Sequence, residues 1–193
     1  LWKDAFVTWL APRAGQRIVD CAGGTGDIAS RILRRSRRGR ESAHVIVTDI
    51  NEDMLAQGRA RFAREKIDGA EFMVSDAEAL SLPSGFADAY TIAFGIRNVT
   101  HRDKALAEAR RVLKPGGRLM ALEFSHPVVP LLDTVYERYS FSVIPNLGKL
   151  IAGDKASYQY LVESIRRFPV QEVFAAEIED AGFSRVQFRN LSG

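Results

Sequence analysis

Cysteine is nearly absent: Cys21 is the one cysteine in 193 residues. That excludes an internal disulfide framework and a cysteine-rich zinc site, and it favours a reducing compartment over secretion. Cys21 itself, between an apolar strand and a glycine turn, reads as a small buried hydrophobe rather than a nucleophile. No apolar run approaches the roughly 18 residues a membrane-spanning helix needs. The opening Leu1-Trp2-Lys3-Asp4 resembles neither a signal peptide nor a transit sequence. It reads as the end of a helix, so the chain is expected to be a fragment of a longer protein. Internal repeats and low-complexity linkers are also lacking. The chain length suits one globular domain, residues 1–193, with a substantial core.

Charge of one sign is scarce overall, with a formal net charge of +3, but it is unevenly placed. Arg31, Arg34, Arg35, Arg37, Arg38 and Arg40 crowd one stretch. They read first as a solvated helix end favoured by the helix dipole, and second as a site for anionic lipid headgroups. No aromatic residues interleave with them to stack bases, so nucleic acid is not expected as a partner.

What is present is a strand running into glycines: Ile18-Val19-Asp20-Cys21-Ala22-Gly23-Gly24-Thr25-Gly26-Asp27. Glycines permit tight turns and close backbone approach, and the N–H groups of the helix that follows favour anionic or polar ligand atoms. The pattern fits a nucleotide-like cradle, and a purely structural turn as well. A second apolar run, Val45-Ile46-Val47-Thr48-Asp49, ends in an acid some 20 residues on, the place where a carboxylate accepts both ribose hydroxyls. The alternative is that Asp49 caps the next helix. A third run ends at Ser75-Asp76-Ala77, where Asp76 could accept from an adenine amino group and the Ala77 N–H could donate to the ring.

Periodicity predicts strands near 17–22, 44–49, 70–75, 88–94 and 117–124 alternating with helices near 27–36, 53–65 and 101–113. This is an α/β, doubly wound, mostly parallel sheet. Thr100 and Asp103 fit a capping box, and Lys114-Pro115-Gly116-Gly117 is expected to end that helix before the next strand. Beyond Pro127 an apolar stretch, Val128 to Ile151, reads as a cover for the pocket that could receive an apolar tail. A helix near 171–182 and a strand near 184–191 close the chain.

Several motifs together closely resemble the ubiquinone/menaquinone biosynthesis C-methyltransferase family. They are Gly23-Gly24-Thr25-Gly26-Asp27, Thr48-Asp49-Ile50-Asn51, Phe94-Gly95-Ile96-Arg97-Asn98-Val99-Thr100, Leu113-Lys114-Pro115-Gly116-Gly117-Arg118 and Tyr158 to Ile165. The glycine and acid motifs are shared by class I methyltransferases in general, whereas the Arg-Asn motif and the Tyr158 segment are more specific. The resemblance implies a Rossmann-like class I fold and S-adenosylmethionine as methyl donor. Its implied substrate is a polyprenyl benzoquinol or demethylmenaquinol, methylated on a ring carbon.

Carried over by position, the cofactor site would comprise Gly23, Gly24, Thr25, Gly26, Asp49, Ile50, Asp76, Ala77 and Ala93. The family often has serine where this chain has Ala93, so only backbone could contribute there. Arg97 and Asn98 are the catalytic candidates, acting on the developing phenolate or on a water that takes the proton. Arg97 could instead be a loop strut paired with an acid. Tyr158, Tyr160 and Glu163 belong to the family's substrate side, within a cover segment 128–168, though their spacing equally fits an amphipathic helix; Glu163 is expected against Arg97 or Arg166. His101 and His126 read as non-catalytic, and no metal is expected.

The family's N-terminal closing segment and a last strand after Gly193 are not in this sequence. The resemblance further allows a peripheral contact with anionic membrane, a quinone-biosynthesis complex or a homodimer. Location would be the bacterial cytoplasm at the inner membrane, or the matrix side of the mitochondrial inner membrane. The rival functions are a catalytically silent methyltransferase-like subunit and an NAD-dependent oxidoreductase.

Overall fold

The computed structural model describes residues 2–124 and 155–191, without the side chains of 155–158 and 162. The described residues fall into two compact units, 2–123 with 181–183, and 124 with 155–180 and 184–191.

The first unit alternates strand and helix as the sequence predicts. Its elements are α1 Trp2–Leu10, β1 Arg17–Cys21, α2 Asp27–Ser36, β2 His44–Asp49, α3 Glu52–Glu65, β3 Ala70–Val74, β4 Ala87–Ala93, a 3-10 turn Ile96–Asn98, α4 Arg102–Val112 and β5 Leu113–Leu122. All strand pairs are parallel, in the order β3-β2-β1-β4-β5. Order reverses between β1 and β4, and in such sheets ligands bind outside the strand C-termini at that reversal. β1 is central and buried on both faces: Ile18, Val19, Asp20 and Cys21 are all inaccessible.

Helix α2 turns Ile28, Ala29, Ile32, Leu33 and Ser36 inward against Val45, Val47, Leu55 and Phe62. Phe6, Val7 and Leu10 of α1 join the same core. At the far end of α2, Ser36 Oγ donates to Leu33 O and accepts from Ala43 N at 2.9 Å. That buried hydroxyl ties the end of α2 to the residue before β2, across the connection 37–43.

Two predicted details differ. The helix over 102–112 is capped by His101, which makes no side-chain cap bond, so the Thr100/Asp103 box does not form. The His101 N–H donates instead to Glu78 Oε1 at 2.9 Å, a tertiary partner that a local motif cannot reveal. The helix does end before Lys114-Pro115-Gly116-Gly117, but β5 begins at Leu113. The ladder jumps from Ala87 opposite Leu113 to Ala89 opposite Arg118, so the Pro-Gly-Gly segment is accommodated as an irregularity inside the strand.

In the second unit, α5 Lys155–Arg167 and α6 Gln171–Asp180 are described. Phe168 and Phe174 pack at 5.0 Å between centroids, and Gln171 Nε2 donates to Asn190 Oδ1. The strand predicted at 184–191 is not formed; those residues are irregular. No described strand offers them a ladder, and an apolar alternation without a partner leaves backbone groups to water. The Val128–Ile151 stretch, most of the 128–168 cover segment and His126 lie outside the described residues.

Gly58, inside α3, offers a test of packing. Alanine usually stabilises a helix by about 1 kcal/mol over glycine. Here a Cβ would lie 2.5 Å from Phe72 Cε1, and that ring is already fixed edge-on to Phe62 at 5.0 Å. Gly58→Ala is expected to destabilise by about 1–2 kcal/mol in urea titration; a stabilised variant would show that the Phe72 ring yields freely.

Candidate active site

The C-terminal ends of β1, β2, β3 and β4 bring the sequence candidates of the first unit to one edge of the sheet. The turn after β1 is tight: Gly26 N donates to Gly23 O at 2.8 Å, and Gly23 N donates to Thr48 O at 3.0 Å. A Cβ on Gly23 would lie 2.7 Å from Val47 Cγ1, so glycine is required there, and the φ of 51° at Gly24 favours glycine.

Asp49 is not the cap of α3. That role belongs to Asn51, whose side chain accepts from Met54 N. Asp49 Oδ2 instead accepts from Gly24 N and Oδ1 from Asn51 N, both at 2.9 Å. Each oxygen keeps a further lone pair, so the carboxylate is oriented by backbone yet able to accept more donors. Ile50 beside it is 72% exposed, and Met54 and Val74 are also exposed apolar side chains at this edge.

Asp76 lies in an exposed turn and accepts from Glu78 N at 2.9 Å through Oδ1, with Ala77 half-buried beside it. Thr25 and Ala93 are half-buried, at the glycine turn and the end of β4.

Sequence reasoning passed over Asp20. It is wholly buried opposite Thr91 in the β1–β4 ladder, and Oδ1 accepts from Thr91 Oγ1 at 2.8 Å. Oδ2 has no hydrogen-bond partner among the described residues, and a Cβ on Gly23 would stand 3.0 Å from it. Burial raises the carboxyl to about 7, against the opposing Thr91 hydrogen bond. The signal was legible: an acid one residue before Cys21 in an otherwise apolar, doubly buried strand needs a reason.

Arg97 is held, as the strut alternative required. Its Nη1 donates to Glu123 Oε1 at 2.6 Å and Phe94 O at 2.7 Å, with the two side chains 10% and 4% exposed. Asn98 is exposed and continues the 3-10 turn. Glu123, at the end of β5, was also missed, although it repeats the strand-then-acid pattern of Asp49. Two non-glycine residues at this edge, Ala22 and Phe94, have φ of 51° and 58°. Such left-handed strain collects at functional sites.

In the second unit Tyr160 is exposed, and Glu163 pairs with Arg167 at 3.3 Å on its own helix. The acid found against Arg97 is thus Glu123. Tyr158's side chain is outside the described residues. No group of metal-ligating residues occurs among the described residues.

The whole chain, residues 1–193, matches the ubiE/COQ5 methyltransferase family. The chain belongs to that family. Ubiquinone/menaquinone biosynthesis C-methyltransferase UbiE of Brucella abortus (strain S19) is 57% identical over 196 positions, covering 100% of this chain and 72% of that protein. The protein of the same name from Paracoccus denitrificans (strain Pd 1222) is 56% identical over 193 positions, covering 100% and 76%.

Among solved structures, Haemonchus contortus phosphoethanolamine N-methyltransferase 2 in complex with S-adenosyl-L-methionine aligns with a TM-score of 0.71 at 19% identity, covering 98% of this chain and 38% of that one. A SAM-dependent methyltransferase from Aquifex aeolicus aligns at 0.66 and 16% identity, covering 93% and 78%. Those likenesses show the fold, the Rossmann-like class I architecture. As a family member the chain is a methyltransferase that takes its methyl group from S-adenosylmethionine.

Asp20 gives the site a pH signature. Its folded pKa lies near 7, above the ordinary 3.8, so between those values the folded state holds a proton that the unfolded chain has lost. Unfolding free energy contributed by this group therefore falls as pH rises from 4 to 7, and then levels. Asp20→Asn is expected to remove a slope worth on the order of 1–3 kcal/mol between pH 5 and 8; an unchanged slope would mean that Asp20 ionises without strain.

Proposed function

We propose that the chain carries out C-methylation in quinone biosynthesis, transferring a methyl group from S-adenosylmethionine to a ring carbon of a polyprenyl benzoquinol or demethylmenaquinol. The observation that carries the cofactor assignment is Asp49, a backbone-oriented carboxylate facing the glycine turn from the end of β2. The names of the relatives support the quinol.

The residues fit the cofactor. Asp49 would accept the ribose hydroxyls, and Asp76 and Ala77 would meet the adenine edge. Ile50, exposed beside Asp49, gives the adenine an apolar surface to cover. Gly23 keeps the turn packed against Val47 and Asp20, where a Cβ would not fit. The unpartnered Oδ2 of Asp20 is a buried acceptor that a cationic ammonium would keep ionised. When bound, S-adenosylmethionine supplies an electrophilic methyl on a sulfonium centre.

C-methylation then requires a phenolic oxygen to give up its proton as the ortho carbon becomes nucleophilic, and the ring proton must leave afterwards. Arg97 suits the first demand. Its plane is fixed by Glu123 and Phe94 O, so it presents a preoriented cation for developing oxyanion charge without reorganising. Asn98, one residue on and exposed, would hydrogen-bond the substrate oxygen. The Arg97 guanidinium stays protonated and has no lone pair to accept a proton, so the proton passes to water or a carboxylate. Tyr160 and Glu163 on α5 would serve the substrate side.

Membrane contact is a secondary reading. Arg34, Arg35, Arg37, Arg38 and Arg40 are exposed at the end of α2 and its turn. That turn adjoins the start of β1, where Gly15 N donates to Ser42 O at 3.0 Å, so the cluster sits at the sheet end away from the crevice. A five-residue strand separates the ends by roughly 17 Å. No described helix is long and apolar enough to cross a membrane. Changing Arg34, Arg35, Arg37 and Arg38 to Gln is expected to reduce binding to anionic vesicles if the cluster touches lipid; equal vesicle binding would leave a solvated helix end.

Two substitutions test the site. Asp49→Ala should weaken S-adenosylmethionine binding by about 1–3 kcal/mol in calorimetry, since a charged acceptor and a turn anchor are both lost; unchanged affinity with the fold intact would remove Asp49 from the site. Arg97→Lys keeps the charge and loses the planar fork, so kcat should fall on the order of 100-fold at constant cofactor affinity. If Arg97 is only a strut, thermal stability and cofactor affinity should fall together while kcat holds.

A further inference from the structure

Helix α1 stands outside the strand–helix alternation, yet it delivers a cation to the edge where the glycine turn lies. Lys3 Nζ is 2.7 Å from Asp27 Oδ2, and Asp27 is the first residue of α2, directly after Gly26. The same Nζ stands 6.0 Å from the centroid of the Phe94 ring, at the end of β4. Lys3 therefore lies beside both segments that leave the sheet at its order reversal, from β1 and from β4. Its side chain is 40% exposed and Asp27's is 36% exposed.

The assignments at Asp49 and Asp76 give the cofactor a direction. With adenosine at the ends of β2 and β3, the amino-acid end must reach across the glycine turn toward β1 and β4. That end carries a carboxylate. Arg31 Nε also contacts Asp27, at 3.3 Å through the other oxygen, so Asp27 keeps a cation if Lys3 changes partner. A half-exposed ion pair of this kind contributes little to stability, which makes the exchange inexpensive.

We propose that Lys3 binds the carboxylate of the cofactor's amino-acid end, leaving Asp27 to Arg31 when it does so. The inference rests on the cofactor direction set by Asp49 and Asp76. It adds a role for α1: the helix brings a ligand-binding cation to the crevice, besides packing Phe6, Val7 and Leu10 on the core.

Calorimetry with two ligands tests it. S-adenosylhomocysteine carries the carboxylate; 5′-methylthioadenosine keeps the adenosine and sulfur but lacks the amino-acid end. Lys3→Met should lower affinity for S-adenosylhomocysteine about tenfold and leave that for 5′-methylthioadenosine within about twofold, and Lys3→Arg should restore most of the loss. Equal losses for both ligands would overturn the proposal, because Lys3 would then serve only to seat α1. Unchanged affinity for S-adenosylhomocysteine would overturn it as well. Failure of the parent protein to bind either ligand would instead overturn the cofactor direction on which the proposal stands. Urea midpoints of the variants, expected within the range of an exposed ion pair, separate lost binding from lost folding.

Discussion

One carboxylate ties the working edge of this sheet together. Asp49 receives the Gly24 N–H from the turn after β1 and the Asn51 N–H from the entry to α3. Without it, the glycine turn would have a left-handed residue at Gly24 and no tertiary anchor for that N–H. Asn51 is thereby placed to cap α3, and α3 packs Leu55 and Phe62 into the core shared with α2. The interaction that shapes the cradle is thus also the one that starts a core helix. A ligand donating to the same carboxylate meets a group already oriented by the backbone.

Elsewhere along this edge, function and stability are opposed. A wholly buried acid with an unpartnered oxygen, Asp20, and left-handed backbone at Ala22 and Phe94 are each unfavourable in an unliganded fold. They adjoin one another: a Cβ on Gly95 would meet the Ala22 Cβ at 2.5 Å, so the two strained turns are packed in contact. The surrounding sheet, with β1 buried on both faces, holds them in place. The Arg97–Glu123 pair has the same character. Burying both charges is costly, and their attraction repays it only with the supporting bond to Phe94 O. Such a pair is weak evidence for stability by itself.

Periodicity made β1, β2, α2 and α3 legible to within a residue or so, because each buries a continuous or one-sided apolar set. It failed where a distant partner decides. The cap of α4 depends on Glu78 across a loop, and the early start of β5 depends on Asp88 and its neighbours in β4. The irregular 184–191 segment alternates suitably but has no described ladder to join. At the site, the glycines and Asp49 were readable because their spacing carries meaning. Asp20 was legible as an acid within a doubly buried apolar strand and was passed over; Glu123 was not, since an acid at a strand end acquires its role only from what the neighbouring turn presents, here Arg97. Lys3 was unreadable for the same reason, as nothing local couples the first helix to the turn at Asp27.

Methyl transfer to carbon is the chemistry on which the proposed roles of Asp49, Arg97 and Lys3 converge. The most direct measurement is mass spectrometry of products after incubating the protein with S-adenosylmethionine and short-tailed benzoquinol and naphthoquinol substrates. A mass gain of one methylene on a ring carbon of at least one quinol, matched by formation of S-adenosylhomocysteine, is the result the account predicts. Saturable cofactor binding with no methylated quinol from either ring would contradict it and leave a silent methyltransferase-like subunit.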